Sequence, residues 1–209
     1  MALETFNFSD GSTLEIFQDD DPASPRDDDN VGTILCFHKR HNIGDENPYS
    51  KDEFNDWDAF KSQIEADNDV VVILPVYMYD HSYTTYSTTP FRCQWDSGQV
   101  GFIFATSESV RQIWGQEFEQ VGRDKIVAAL NAELDTYQQW ANGDIFGYVL
   151  KTPQGACDKC GHQEVEEDSC WGFYGSDPLE NGMIDHFPKD IADEIRAGVI
   201  TLSSRRIIP

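Results

Sequence analysis

Residues 69–81 read DVVVILPVYMYDH, and residues 99–106 read QVGFIFAT. The first holds a seven-residue apolar run, Val70 to Val76, rich in β-branched side chains and bounded by polar residues. That length suits a buried strand and falls far short of the ~20 apolar residues that span a bilayer. Pro75 lacks an amide hydrogen, so it points to an edge position or a bulge within the strand. The second string is a further apolar strand. These two runs predict the heart of a sheet, with residues 70–79 and 99–106 in its core.

Outward from these strands the periodicity alternates between 2 and 3.6. LETFNF and TLEIFQ flank a turn at Asp10-Gly11, so residues 3–18 predict a β-hairpin. GTILCFHK predicts a strand. Ser50 or Asp52 is positioned to cap a helix in which Phe54, Trp57, Phe60 and Ile64 share a face. Ser107 or Ser109 opens a short helix. Residues 123–141 predict the longest one, with Ile126, Leu130, Leu134 and Tyr137 on one face and Asn142-Gly143 ending it. DIFGYVLKT and CWGFYG form a late strand pair with a cysteine-rich loop at its turn. PKDIADEIRAG closes as a helix, and VITLSS adds a strand. The expectation is a single α+β domain over residues 1–209, a mostly antiparallel sheet with helices packed on one face. Residues 19–30 form an acidic loop with the character of a flexible patch, and residues 153–170 the Cys-rich loop.

Charge is the bulk anomaly: 15 Lys plus Arg oppose 38 Asp plus Glu, a formal net charge of −23. Two physical causes produce such a surface. Carboxylates keep a protein soluble in high salt, and a dense carboxylate array imitates DNA phosphates to a basic groove. Direct nucleic-acid binding is disfavoured, because phosphate contacts require Lys and Arg. The best basic patches, HKRH at 38–41 and SSRRIIP at 203–209, are small. The N-terminus has no basic stretch followed by an apolar one, so no signal peptide is expected. Five cysteines, an odd number, suit free thiols or metal ligands better than a disulfide framework.

Residues 156–175 read ACDKCGHQEVEEDSCWGFYG. Cys-x-x-Cys-Gly-His places two thiols on a tight knuckle, where Gly161 permits the turn. Zinc favours four soft or borderline ligands in a tetrahedron, and Cys157, Cys160, Cys170 and His162 are the candidates for a closed, structural zinc site. The second Cys-x-x-Cys of a zinc ribbon is missing. The other reading of these thiols is free or reversibly oxidised cysteine.

Catalytic chemistry finds a looser set. Asp80-His81-Ser82 ends one strand, and Cys93 with Trp95-Asp96-Ser97-Gly98 precedes another. With Cys36 and His38 they offer a Cys/His or Ser/His/Asp constellation at one end of the sheet. The weak catalytic candidates are thus His38, Asp80, His81, Cys93 and Asp96. There is no G-x-S-x-G elbow, H-E-x-x-H, P-loop or G-x-G-x-x-G. The plain alternative is that Asp96 and Ser97 shape a turn. Tyr77, Tyr79, Tyr83, Tyr86, Trp171, Phe173 and Tyr174 supply either core or an exposed aromatic face.

SPRDDDNVGTILCFHKRHNIGD, VVILPVYMYDHS, CQWDSGQVGFIF, NGDIFGYVL and DSCWGFYG follow one another from about Asp19 to about Gly175. Together, and chiefly through W-D-S-G-Q-V-G-F-I and D-S-C-W-G-F-Y-G, they resemble an uncharacterised family of bacteriophage and prophage proteins. The resemblance implies a viral setting and supplies no activity. It also implies that Cys170 belongs to a core strand and that residues 153–167 are a local elaboration.

Three functional classes follow. The expected one is a phage-encoded accessory protein that acts by binding a host or viral protein with a basic surface, without chemistry and away from membranes. Its place is the cytoplasm of the infected host cell. The others are an enzyme built on Asp80-His81 and Cys93-Asp96, and a virion or assembly component with a salt-adapted acidic surface.

Overall fold

The structure, a computed structural model, describes residues 2–93, 95–156, 163–198 and 201–205. Its strands in chain order begin with β1 (Glu4–Asn7), β2 (Thr13–Gln18), β3 (Gly32–Cys36), β4 (Val70–Asp80) and β5 (Thr84–Ser87). They continue with β6 (Ser97–Thr106), β7 (Ile145–Ala156), β8 (Gln163–Tyr174) and β9 (Thr201–Arg205). The helices are α1 (Trp57–Asp67), α2 (Ser107–Trp114), α3 (Phe118–Val121), α4 (Arg123–Ala141) and α5 (Lys189–Ala197). The class is α+β, and every strand pairing within the sheets is antiparallel.

The strands divide between two sheets where one was expected, and the chain clusters into two compact units. One is segmented, built from Met1–Ala23 with Gly143–Pro209; the other, Ser24–Asn142, is one uninterrupted stretch inserted between β2 and β7.

The inserted unit carries the sheet β3-β6-β4-β5. Successive residues of a strand face opposite sides, so a strand apolar at every position must be covered twice. This is the case for Val100 to Ala105 of β6, all buried. On one face Ile34, Val72, Val76, Ile103 and Ala105 pack against Val110 of α2 and Ile126, Leu130, Leu134 and Tyr137 of α4. On the other, Leu35, Phe102 and Phe104 meet Phe60 and Ile64 of α1. Helices therefore cover both faces here, where a single helical layer was expected. Each such side chain contributes roughly 1.5–3 kcal/mol of hydrophobic stabilisation.

The two decisive strings do form neighbouring strands. Pro75 pairs with Phe102, and β5 joins β4 only from Tyr77 onward. The proline thus occupies the stretch of β4 whose other side is an edge, and the register shift expected near it falls at Val76/Tyr77. The helix expected from Ser50 begins later. Asp56 caps it by accepting the Ala59 amide at 2.8 Å, while Ser50 opens only a short 3-10 turn, Lys51–Glu53. Phe54, between the two, is extended.

β5 was not expected, and its sequence, TTYS, explains why: four residues carry little periodicity. Side chains of α4 and of Asn142, the residue that caps its end, hold its outer edge. Asn142 accepts the Thr84 amide at 2.9 Å and donates to the Thr84 carbonyl at 2.8 Å. Gln138 accepts the Tyr86 amide at 2.7 Å. Side-chain amides here replace the missing neighbouring strand.

The segmented unit carries the sheet β8-β7-β2-β1-β9. Phe6, Leu14, Ile16, Phe146, Tyr148, Leu150 and Phe173 form one face and pack on Met183, Ile184, Phe187 and, from α5, Ile191, Ala192 and Ile195. The hairpin over residues 3–18 forms as read, with Gly11 at φ +90° in its turn. D-S-C-W-G-F-Y-G proves to encode a bulge. Phe146 pairs with Phe173 but Tyr148 with Cys170, so β8 holds one residue more than β7, and Gly172 takes φ +88° there. Trp171 lies on the opposite face against Gly147, where a side chain would collide with the indole.

Candidate functional site

A large concavity lies within the inserted unit, at the loop that leaves β3. Phe37 still belongs to the sheet, its amide donating to the Val100 carbonyl at 2.7 Å. Residues 38–41, His-Lys-Arg-His, then swing out, and the chain returns through buried Ile43 to Asp45. The return is tied firmly. The Asp45 amide donates to the Ile34 carbonyl at 2.9 Å, and Asp45 Oδ2 accepts the Ile34 amide at 2.7 Å. The Gly44 amide donates to the Tyr137 hydroxyl at 3.0 Å, and Asn47 reaches the Cys36 carbonyl at 3.1 Å. Gly44 stands at φ +80° with Ile34 so close that no Cβ fits.

The foot of this loop is a charge network that sequence reading passed over. Arg26, its side chain 8% exposed, makes a two-pronged contact with Asp45 at 2.9 and 3.0 Å, and reaches Glu133 of α4 at 3.5 Å. Glu133 accepts the amides of Val31 and Gly32 at 2.8 and 3.0 Å. Burial pushes the Glu133 carboxyl up, against the pull of those two amides and of Arg26. Arg26 thus ties the second half of the acidic loop to Asp45 and to α4. Two signals pointed here: Arg26 is the lone cation of the acidic loop, and Glu133 lies one turn from Leu130, beside the apolar face of its helix.

Above this foot opens a cleft of about 1020 Å³ lined by His38, Lys39, Arg40, His41, Lys51 and, at its apolar side, Phe37 and Trp57. His38 and His41 stack with ring centroids 5.0 Å apart. Burial, then His41 and the Arg40 guanidinium, hold the His38 imidazole below its ordinary range; Asp80 pulls the other way.

A shallower hollow of about 360 Å³ beside it is lined by His38, Arg40, Asp80, Asp96 and Trp95 among others. It brings together three of the catalytic candidates, but their partners are not catalytic ones. Asp80 is ion-paired with Arg40, and its amide donates to the Asp96 carbonyl at 2.9 Å. Cys93 Sγ lies 3.9 Å from Asp96 Oδ2, and Ser97 donates to the Cys93 carbonyl. His81 is exposed, stacks near Tyr79 and contacts Ser82 at 3.4 Å. Among the described residues no histidine bonds a carboxylate or a thiol here. Cys36 is buried, and burial pushes its thiol far up, away from a nucleophilic thiolate.

Cys157, Cys160 and His162 lie outside the described residues. Among those described, no group of three or more His, Cys, Asp or Glu is placed to hold a metal ion. The ladder register bears on Cys170. Ala156 pairs with Gln163, whereas Cys170 pairs with Tyr148, seven residues further along β8. At strand rise that is about 23 Å, and a zinc–sulfur bond is about 2.3 Å. Cys170 is the one described member of the expected ligand set, and it stands that far along β8 from the Ala156–Gln163 pair.

Among the described residues no helix is long and apolar enough to cross a membrane. Compared with known protein families, curated proteins and solved structures, the chain finds no match.

Proposed function

We propose that this is a phage-encoded acidic accessory protein that works by occupancy, docking onto a host or viral protein with a basic surface, in the cytoplasm of an infected cell. Proteins that handle nucleic acid, host defence factors included, are the class of target such a surface fits. One observation carries the reading: Asp27, Asp28 and Asp29 are exposed on a turn closed from beneath by buried Pro25 and by Arg26, which is ion-paired with Asp45. Asn30 donates to the carbonyls of Pro25 and Asp28 at 2.8 and 2.7 Å, and the Asp27 amide to that of Ser24 at 3.0 Å. Carboxylates that only keep a protein hydrated need no fixed placement. Carboxylates held on a rigid turn lose little freedom on meeting a cationic partner, which favours binding.

The test is association kinetics with a basic protein retained from host extract. Binding should weaken steeply with salt, yield to competing duplex DNA, and slow in association when Asp27, Asp28 and Asp29 are all changed to Asn. If instead molar salt stabilises the isolated protein and no basic partner is retained, the acidity is salt adaptation and the proposal fails. The zinc expected at the β7–β8 turn is also proposed, on the Cys-x-x-Cys-Gly-His spacing of Cys157, Cys160 and His162 and without Cys170.

A further inference from the structure

In a chain with so large an excess of carboxylates, five cationic or titratable nitrogen side chains line one cleft: His38, Lys39, Arg40, His41 and Lys51. Its carboxylates are mostly committed elsewhere. Asp45 is bound to Arg26 and the Ile34 amide, and Asp80 beside the cleft to Arg40; Glu46 alone stands exposed on the lining. Among the described residues Lys39 and Lys51 join none of the ion pairs. Positive charge is therefore concentrated and only partly neutralised, on a loop whose two feet are tied to β3 and to Tyr137. A cation cluster fixed in advance is what anion recognition requires.

The cleft is also two-sided. Phe37 and Trp57 line it, their rings near parallel with centroids 6.5 Å apart. They continue, with Phe54, Phe60 and Lys51, into a recess of about 150 Å³. Lys51 belongs to both spaces, so an anion at its ammonium sits next to the aromatic wall. A volume of about 1020 Å³ admits a molecule of ordinary cofactor size.

We infer that this cleft binds a small phosphate-bearing molecule with a planar ring, nucleoside phosphates being the class, with the phosphates on Lys39, Lys51 and the His38/His41 pair and the ring against Phe37 and Trp57. The site is separate from the acidic turn of the proposed function and does not depend on it. Its occupation adds negative charge beside His38, whose charged surroundings are His41, Arg40, Lys51, Asp80, Asp96, Lys39, Asp45 and Glu46.

Calorimetric titration of the full chain with pyrophosphate, ADP and adenosine tests it. ADP should bind about tenfold tighter than pyrophosphate, and adenosine weakest. Lys39→Ala with Lys51→Ala, both exposed positions, should loosen ADP and pyrophosphate by about tenfold or more. The His38 ring resonance should titrate at higher pH once pyrophosphate is added. Asp27→Asn, Asp28→Asn and Asp29→Asn should leave all of this unchanged, which separates failure here from failure of the docking proposal. No saturable binding of ADP at millimolar concentration, or binding indifferent to the lysine changes, overturns the site. Pyrophosphate as tight as ADP overturns the ring assignment, and adenosine as tight as ADP overturns the phosphate assignment.

Discussion

In the inserted unit a four-stranded sheet lies between α4 and α1, and at the foot of the cationic loop the largely covered Arg26 side chain meets half-buried Asp45 and Glu133. In the segmented unit the sheet packs α5 on one face, and β8 is exposed along residues 165–169, an acidic run at the edge of the sheet. A charge drawn partly out of water beside the two-sided core needs a partner, as Arg26 has in Asp45 and Glu133, and partners tie loops in place. One-sided burial leaves charge on the surface, where it guards an edge strand and fixes little. The cleft and the hollow around His38 both lie in the unit whose half-buried charges tie its loops together.

The largest expected effect breaks that network. Arg26→Ala leaves two carboxylates without their cation and should cost about 3–5 kcal/mol, read from denaturant midpoints. A loss under 1 kcal/mol would mean the network does not hold the inserted unit. Next come two glycines. At Gly101 a methyl would run into the Leu35 carbonyl oxygen and lie 2.6 Å from Cys36 Cα, backbone that cannot step aside. Gly101→Ala should cost about 3 kcal/mol. At Gly147 a methyl would meet the half-exposed Trp171 indole, which can rotate away, and the Cys170 carbonyl oxygen at 2.9 Å, a milder backbone clash, so Gly147→Ala should cost less, about 2 kcal/mol. Equal costs would erase the contrast between the units.

Metal content gives a sharper comparison within β8. If the purified protein carries zinc, Cys157→Ser should abolish it and Cys170→Ser should leave the ratio unchanged, as elemental analysis will read. The smallest effect is a titration. The folded His38 value lies below the ordinary 6.5. The unfolded chain therefore takes up the proton first, so stability is full above about pH 6.5 and declines as pH falls toward the folded value. Wild type should lose slightly more stability than His38→Gln between pH 7 and 5. His41→Ala should raise the His38 midpoint in an NMR titration, because it removes a neighbouring positive charge.

Much of the fold was legible because it is local. The apolar runs of β4 and β6, the helical face Ile126, Leu130, Leu134 and Tyr137, and the turn at Gly11 each declare themselves within a dozen residues. Partition into two sheets does not. It depends on β2 choosing β7, with Gln18 opposite Phe146, a pairing that no window of sequence contains. β5 escaped notice because Gln138 of α4 and Asn142 just past its end complete it. The site was half legible: HKRH stood out as a basic patch, but its meaning depends on Asp45, Tyr137 and Trp57 arriving from elsewhere. The cysteines were conspicuous in sequence, but that Cys170 stands opposite Tyr148 is visible only in the ladder register.

The junction of β2 and β7 has a further consequence. Gln18 and Phe146 face each other in the ladder, and the Asp19 amide still donates to the Ile145 carbonyl at 2.8 Å. The segmented unit thus closes its own hairpin just where 119 residues, Ser24–Asn142, leave and return. In architectural terms the inserted unit is a guest in a host's turn. A short glycine-containing turn grafted between residues 19 and 145 should let the host fold without its guest, and residues 24–142 should persist as a separate gene product. The acidic turn and the cationic cleft would then travel together, since both belong to the guest.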